Sequence, residues 1–295
     1  MKRLLVLVAA ALLILPAGQA FAAAYKDTST PAILHKAYKD AQKGKGDFKV
    51  LIVAGHDDQF SGTSFAGLRE ADLNLELAEK IKDLLGDNKN LEVRMARTEE
   101  GYDPDLLEYF TDRREQTEDF IARYKDRMER HLESGNLESA SGVPHGTAAS
   151  EAALRLYGIN KWSNDEEFDL VLHVHFNDTA RYDLNYPAPY TGFTIYTPEN
   201  QFGNARGSWA VGEALRDRLM DVTYPSTLPG ESAGLVEDQE LIAIGAYNTL
   251  EAASVLVEYS YIYERRIQDP LLRESTLNAM AEATQLGLED FFKDK

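Results

Sequence analysis

Past the first two dozen residues, short unbroken apolar runs alternate with stretches whose apolar positions recur every three or four residues. FKVLIVAG (48–55) is the first such run, and its closing glycine ends what reads as a buried strand. A loop rich in glycine and serine follows at 55–67. Leu73, Leu77, Ile81 and Leu84 then recur at helical spacing, with Gly86 as a stop. LEVRMAR (91–97) reads as a second strand, and further strands are expected at 168–175, 191–197 and 253–259. An amphipathic helix near 204–220 carries Trp209, Val211, Leu215 and Leu219, and residues 271–292 form a closing helix. SEAALRLYGINKW is a shorter helix with Ser150 as its N-cap. Strands alternating with helices predict an α/β fold. The expected architecture is a single three-layer domain, a mostly parallel twisted sheet of about five or six strands flanked by helices.

One segment departs from this alternation. Residues 103–138 are highly charged, with Leu106, Leu107 and Phe110 opening one apolar stripe and Phe120, Tyr124, Met128 and Leu132 forming another. Arg113, Arg114 and Thr117 lie between, so the helix is broken or solvated in its middle. This predicts a helical insertion over 100–149, which reads either as a lid laid across the domain or as a surface hairpin.

The N-terminus has a different logic. Lys2 and Arg3 precede an apolar run, Leu4–Leu15, too short to span a bilayer comfortably, and Ala20-Phe21-Ala22 supplies a small-x-small cleavage pattern. Residues 1–22 therefore read as a secretory signal peptide, 23–47 as a tether with a short helix, and 48–295 as the folded domain. The expected destination is the periplasm, or the cell wall and medium, with no stable membrane span once the signal is cleaved. The chain has no cysteine, so its core must hold without disulfides, and any metal ligands must be His, Asp or Glu. The formal charge is −18, and removal of Lys2 and Arg3 takes it to about −20, which speaks against nucleic acid or anionic lipid as a partner.

Candidate chemistry gathers where an open α/β sheet places its ligands, beyond the carboxyl ends of the strands. His56 follows the first strand, His175 closes the 168–175 strand and Glu258 lies at the end of SVLVE. Within DLVLHVHFND (169–178) alternation puts His173, His175 and Asn177 on one face, with the two imidazole Cβ atoms roughly 6–7 Å apart. Such a pair can reach one metal together, or give one ligand and one supporting neighbour. Glu70 opens the helix after the first strand, where the helix dipole favours a carboxylate; as a pattern it fits a capping residue equally well. Glu258 can likewise be read as half of a strand-end salt bridge.

The order GH, GLREADLNL, strand–H-x-N and VLVE resembles the zinc-dependent N-acetylmuramoyl-L-alanine amidases of the Amidase_3 type. The resemblance runs from about Lys49 to Phe292, apart from the insertion. It implies zinc ligands at His56, Glu70 and His175, one zinc ion per chain, and a catalytic carboxylate at Glu258. Arg155 and Asn160 fall in a helix that the family also carries, and GFTIY (192–196) matches its next strand. The implied activity is hydrolysis of the bond between the lactyl group of N-acetylmuramic acid and the first L-alanine of peptidoglycan. Some family members are restrained by an occluding helix, so an activator protein is implied if the insertion is a lid.

The chain departs from the family at its rim. Asp57 and Asp58 stand where small residues are usual, His173 replaces a small polar residue, Phe176 a small one, and Tyr259-Ser260-Tyr261 follows Glu258. These changes bear on substrate contacts more than on reaction type. His35, His131 and His145 are expected to face solvent. Two other readings keep the same fold: a non-catalytic regulator or cell-wall binder, and a zinc carboxypeptidase-like peptidase.

Overall fold

The computed structural model describes residues 25–293; the segment 1–22, expected to be a signal peptide, lies outside the described residues. The central sheet has six strands: β1 (Phe48–Ala54), β2 (Leu91–Met95), β3 (Leu170–Asn177), β4 (Thr194–Pro198), β5 (Leu235–Asp238) and β6 (Ala253–Tyr261). Their spatial order is β2-β1-β3-β6-β4-β5. The pairs β2/β1, β1/β3, β3/β6 and β4/β5 are parallel, and β6/β4 is antiparallel. The expected mostly parallel sheet of five or six strands, with helices on both faces, is what the chain forms. β5 was not legible in the sequence: it is a four-residue edge strand that buries fully only Leu235 and Asp238.

Alternation along the strands assigns the two faces. Leu170, Leu172, Val174 and Phe176 of β3, with Val255, Val257 and Tyr259 of β6, join the larger core. That core is closed by α1 (Pro31–Ala41), α2 (Glu70–Gly86), α6 (Ala205–Leu219) and α8 (Pro270–Lys293). In α2 the residues Leu73, Leu77, Ile81 and Leu85 repeat every four positions, which lays one apolar stripe on the sheet. The opposite face carries Val171 and the histidines, covered by α3 (Pro104–Phe110) and α5 (Ser150–Asp165) through Leu106, Tyr109, Phe110, Ile159 and Trp162. Between them in sequence comes α4 (Arg114–Glu133), and α7 (Arg265–Gln268) leads into α8.

Several local expectations change. The segment read as a tether contains α1, whose Leu34, Tyr38 and Ala41 are buried; their spacing of four and three is that of a core-facing helix. Ser150 is the first helical residue of α5 rather than its N-cap, and Ala149 at the cap makes no side-chain hydrogen bond. The insertion breaks as anticipated, between Phe110 and Arg114. Leu107 and Leu132 of its stripes are exposed, whereas Tyr109 is buried. Of the three histidines expected in solvent, His145 is exposed, although its ring lies 3.2 Å from the Asp238 carboxylate, while the other two are half-buried: His35 lies 2.8 Å from the Phe291 carbonyl and His131 packs edge-on to Tyr25 at 5.0 Å. An imidazole is amphipathic enough to fill such partly wet gaps, which a surface reading of its segment ignores.

Candidate active site

β1 ends at Ala54, and the chain turns sharply through Gly55 and His56. His56 has φ 63°, a left-handed conformation that costs an ordinary residue on the order of 1 kcal/mol and must be held by its surroundings. Asp57 does the holding. Its Oδ1 accepts from the Gln59 and Phe60 amides at 2.8 and 2.7 Å, and its Oδ2 accepts from Tyr102 Oη at 2.6 Å and from Arg155. Asp57 is thus the loop's internal brace, while Asp58 is exposed and pairs with Arg69. Burial raises the Asp57 proton affinity, but Tyr102, the Phe60 amide and Arg155 outweigh it and leave the carboxyl below its usual range. Arg97 supports the turn from behind, donating to the carbonyls of Ala54, Gly55 and Ala71 at 3.0, 3.1 and 2.8 Å.

Three donor groups meet beyond the strand ends. Glu70, the first residue of α2, places Oε1 3.2 Å from His56 Nε2 and 3.0 Å from His175 Nδ1. The two imidazole rings stand 5.0 Å apart at 77°, and the donor atoms of all three residues lie within 4.8 Å of one another. Glu70 is buried; its Oε2 accepts from the Thr63 amide at 3.0 Å, and Asn74 Nδ2 lies 3.4 Å from Oε1. Burial alone would favour the protonated acid, but the two imidazoles hold Glu70 far below the usual carboxylate range. For His56 burial lowers the proton affinity and Glu70 more than restores it, leaving it raised; for His175 burial prevails and it is lowered.

The donor set fits a divalent cation. Donors around a tetrahedral zinc stand roughly 3.3 Å apart, given metal–donor bonds of about 2.0–2.1 Å, and the two carboxylate–imidazole separations are of that size. Two glycines keep the cradle clear. A Cβ on Gly55 would strike the His175 ring, and one on Gly62, whose φ is +69°, would strike Glu70 Oε2 and the His56 ring. His56 keeps about a third of its side chain exposed (31%), so the cradle opens to solvent on that side.

β3 runs to Asn177, two residues beyond the end expected from sequence, so His175 sits within the strand. His173 is elsewhere in kind: fully buried, with neither ring nitrogen bonded among the described residues, and pushed down to about 3 by burial and, less, by His175. It is a neutral imidazole below the donor set. Glu258 pairs in register with His175 on the neighbouring strand, just before a register shift in β6. Its Oε2 is buried without a partner, and burial, then Glu70 and Glu231, raise its carboxyl well above the usual range. Asn160 is buried and ties α5 to the segment beyond β5, donating to the Ile242 carbonyl and to Thr249 Oγ1 at 2.8 and 2.9 Å.

Sequence reasoning missed Arg97, Asn74, Tyr102 and Glu231. Arg97 offered one signal, a cation closing an otherwise apolar strand pattern. Glu231 offered none, because its partners come from three strands distant in the chain.

Solved structures share this architecture. An N-acetylmuramoyl-L-alanine amidase from Clostridium difficile 630 superposes with a TM-score of 0.52 at 17% identity, over 85% of this chain and 99% of that one. The CwlD amidase from Clostridioides difficile, in complex with the GerS lipoprotein, gives 0.54 at 14% over 84% and 99%. Ami1 from Mycobacterium smegmatis, an N-acetylmuramyl-L-alanine amidase, gives 0.53 at 14% over 85% and 99%. At such identities these likenesses speak for the fold. A search of curated protein sequences returns no match. The sequence profile of the family Amidase_3, N-acetylmuramoyl-L-alanine amidase, matches residues 50–290, and the chain belongs to that family.

Proposed function

We propose that the protein is a zinc-dependent hydrolase of the amide bond between N-acetylmuramic acid and L-alanine, with one zinc ion held by His56, Glu70 and His175. The observation that carries this reading is the convergence of two imidazoles and a carboxylate within 4.8 Å, beside the half-buried Glu258 with its buried, unpartnered Oε2, in a chain of the amidase family. Three protein ligands leave a coordination position open, as catalytic rather than structural zinc sites do. When bound, zinc supplies Lewis acidity, polarising the scissile carbonyl and making water a better nucleophile.

The chain's own groups do the rest. Glu258 takes a proton from the attacking water as the new C–O bond forms, then gives it to the alanine nitrogen as the C–N bond breaks. A carboxyl whose proton affinity is raised by burial, Glu70 and Glu231 is suited to hold that proton between the two events. The brace at Asp57 and the glycines at 55 and 62 keep the His56 and His175 rings in place.

Peptidoglycan as substrate puts the site of action at the cell wall. Among the described residues no helix is long and apolar enough to cross a membrane. The insertion packs α3 against α5, and α4 against α5 and the turn Ala246–Asn248, contacts that favour a surface hairpin over a lid; the complex of the similar CwlD amidase with the GerS lipoprotein supports a protein partner for this fold all the same.

Mass spectrometry of muropeptide digests, with and without chelator and beside a metal assay, tests the reading. The expected products are free stem peptides with a new L-alanine amino terminus, lost on chelation. Release of a C-terminal residue would indicate a carboxypeptidase instead, and zinc binding without any cleavage a regulator or binder.

A further inference from the structure

Glu231 lies in the loop before β5 and is 2% exposed. Its hydrogen-bond partners are all neutral. Oε1 accepts from Tyr196 Oη at 2.7 Å and Oε2 from Tyr261 Oη at 3.0 Å, and Asn177 Nδ2 lies 3.3 and 3.2 Å from the two oxygens. A buried carboxylate held by neutral donors alone is expensive to desolvate, and a hydrophobic residue would pack the same gap at less cost. What the carboxylate does that an apolar side chain could not is orient an amide. It only accepts hydrogen bonds, so it forces the Asn177 side chain to turn its NH2 inward and its carbonyl oxygen outward.

That oxygen is well placed. Asn177 is half-buried at the carboxyl end of β3, two residues beyond His175 and therefore on the same face. Oδ1 has no partner among the described residues. The result is a hydrogen-bond acceptor held at the strand end next to the His56–Glu70–His175 cradle. A substrate cleaved at an amide bond between a sugar and a peptide brings complementary donors, the N–H groups of the stem peptide and of the sugar's acetamido group.

We propose that Asn177 Oδ1 accepts a hydrogen bond from a substrate amide N–H beside the scissile bond, and that Glu231 is a positioning residue that fixes this orientation. The proposal rests on the amidase reading. Glu231→Gln keeps one acceptor and puts an NH2 where the other stood, so the Asn177 amide is held by one oxygen instead of two and its carbonyl is no longer fixed outward.

The test is a double-variant cycle on the zinc-loaded mature chain with a soluble muropeptide. Asn177→Ala and Glu231→Gln are each expected to raise KM about tenfold, with unchanged metal content and Tm; kcat changes little in Asn177→Ala and more in Glu231→Gln, which also removes a charge that raises the Glu258 proton affinity. In KM the double variant is expected to be no worse than Asn177→Ala alone. Additive rises in KM, or an unaltered KM in Asn177→Ala, would overturn the proposal. Repeating the cycle with an N-deacetylated muropeptide tells the two donors apart: the Asn177→Ala effect persists if the N–H belongs to the peptide and disappears if it belongs to the sugar. Hydrogen exchange of the Asn177 side-chain amide judges the positioning without reference to turnover. Protection in the parent chain and its loss in Glu231→Ala is expected, and free exchange in the parent chain would sink the role given to Glu231 even if muropeptides are cleaved. Absence of muropeptide cleavage with the amide still protected would instead count against the amidase reading.

Discussion

β3 and β6 each present two surfaces built from the same backbone. One carries Leu170, Leu172, Val174, Val255 and Val257, sealed under α2, α6 and α8. The other carries His173, His175, Asn177 and Glu258, where polar atoms outnumber their partners: both His173 nitrogens and Glu258 Oε2 are buried and unbonded. The apolar surface gains free energy from every contact, whereas the polar surface spends some of it to keep donors and acceptors poised. The comparison teaches that stability and chemistry are separated here by the period-two alternation of a strand, at a distance of one residue.

The hardest way to break that separation is on the polar face. Glu258→Ala removes the group proposed to move the proton and should lower turnover by about a thousandfold or more, within the range of general acid–base catalysis. Because the same change removes a half-buried carboxyl whose Oε2 is buried without a partner, the variant should melt no lower than the parent chain. Steady-state kinetics and thermal melts of one preparation check both halves. Full activity in the variant would end the proposed role of Glu258.

The two histidines of β3 refine the contrast within one face. His175→Ala removes one of three donors, and the metal content should fall from about one ion per chain to near zero. His173→Ala removes an imidazole that touches neither Glu70 nor His56 in the hydrogen-bond network and should keep most of the metal. It leaves a cavity, so its Tm should drop more than its metal content. Metal analysis after dialysis separates the two. Equal losses of metal would make His173 a ligand.

On the apolar face the expected effect reverses. Leu172 is wholly buried in the larger core, and Leu172→Ala should cost about 2–5 kcal/mol of folding stability. Turnover per folded molecule should stay within about twofold, because the side chain points away from the cradle. Denaturant unfolding and kinetics below the transition test this. A large fall in turnover without loss of stability would show that the two faces are coupled.

The same alternation explains what the sequence discloses. The period-two pattern of DLVLHVHFND already separates Leu172 from His173, and the four-residue repeat of α2 already places Glu70 at a helix start. Those are local signals, each readable within a dozen residues. The His56 turn is half legible: the histidine is visible after its strand, but the brace needs Tyr102 and Arg155, which arrive from elsewhere in the chain. Glu231 is not legible at all, because Asn177, Tyr196 and Tyr261 meet it only after four segments pack. The helix α1 is legible as a helix but not as part of the core: its stripe is present, but short and flanked by polar loops that resemble a linker.

The mildest test asks whether the polar side contributes to folding at all. Asp238, at the end of β5, accepts from the Glu240 and Leu241 amides at 2.7 and 2.9 Å and lies 3.2 Å from His145. Burial raises its proton affinity, but His145 and the two amides outweigh it, and its carboxyl sits below the ordinary 3.8. A depressed folded-state value means that the unfolded chain binds the proton more readily. The stabilisation is therefore complete above the ordinary value and is lost as pH falls from there through the folded value. Asp238→Asn should cost about 1–2 kcal/mol near pH 6, and the gap to the parent chain should close in acid. Urea unfolding of both proteins at pH 6 and at pH 3 measures this. A gap of the same size at both would mean that packing around the insertion loop, not the charge, is what Asp238 supplies, and the polar side would then stabilise the fold in the same way as the apolar one.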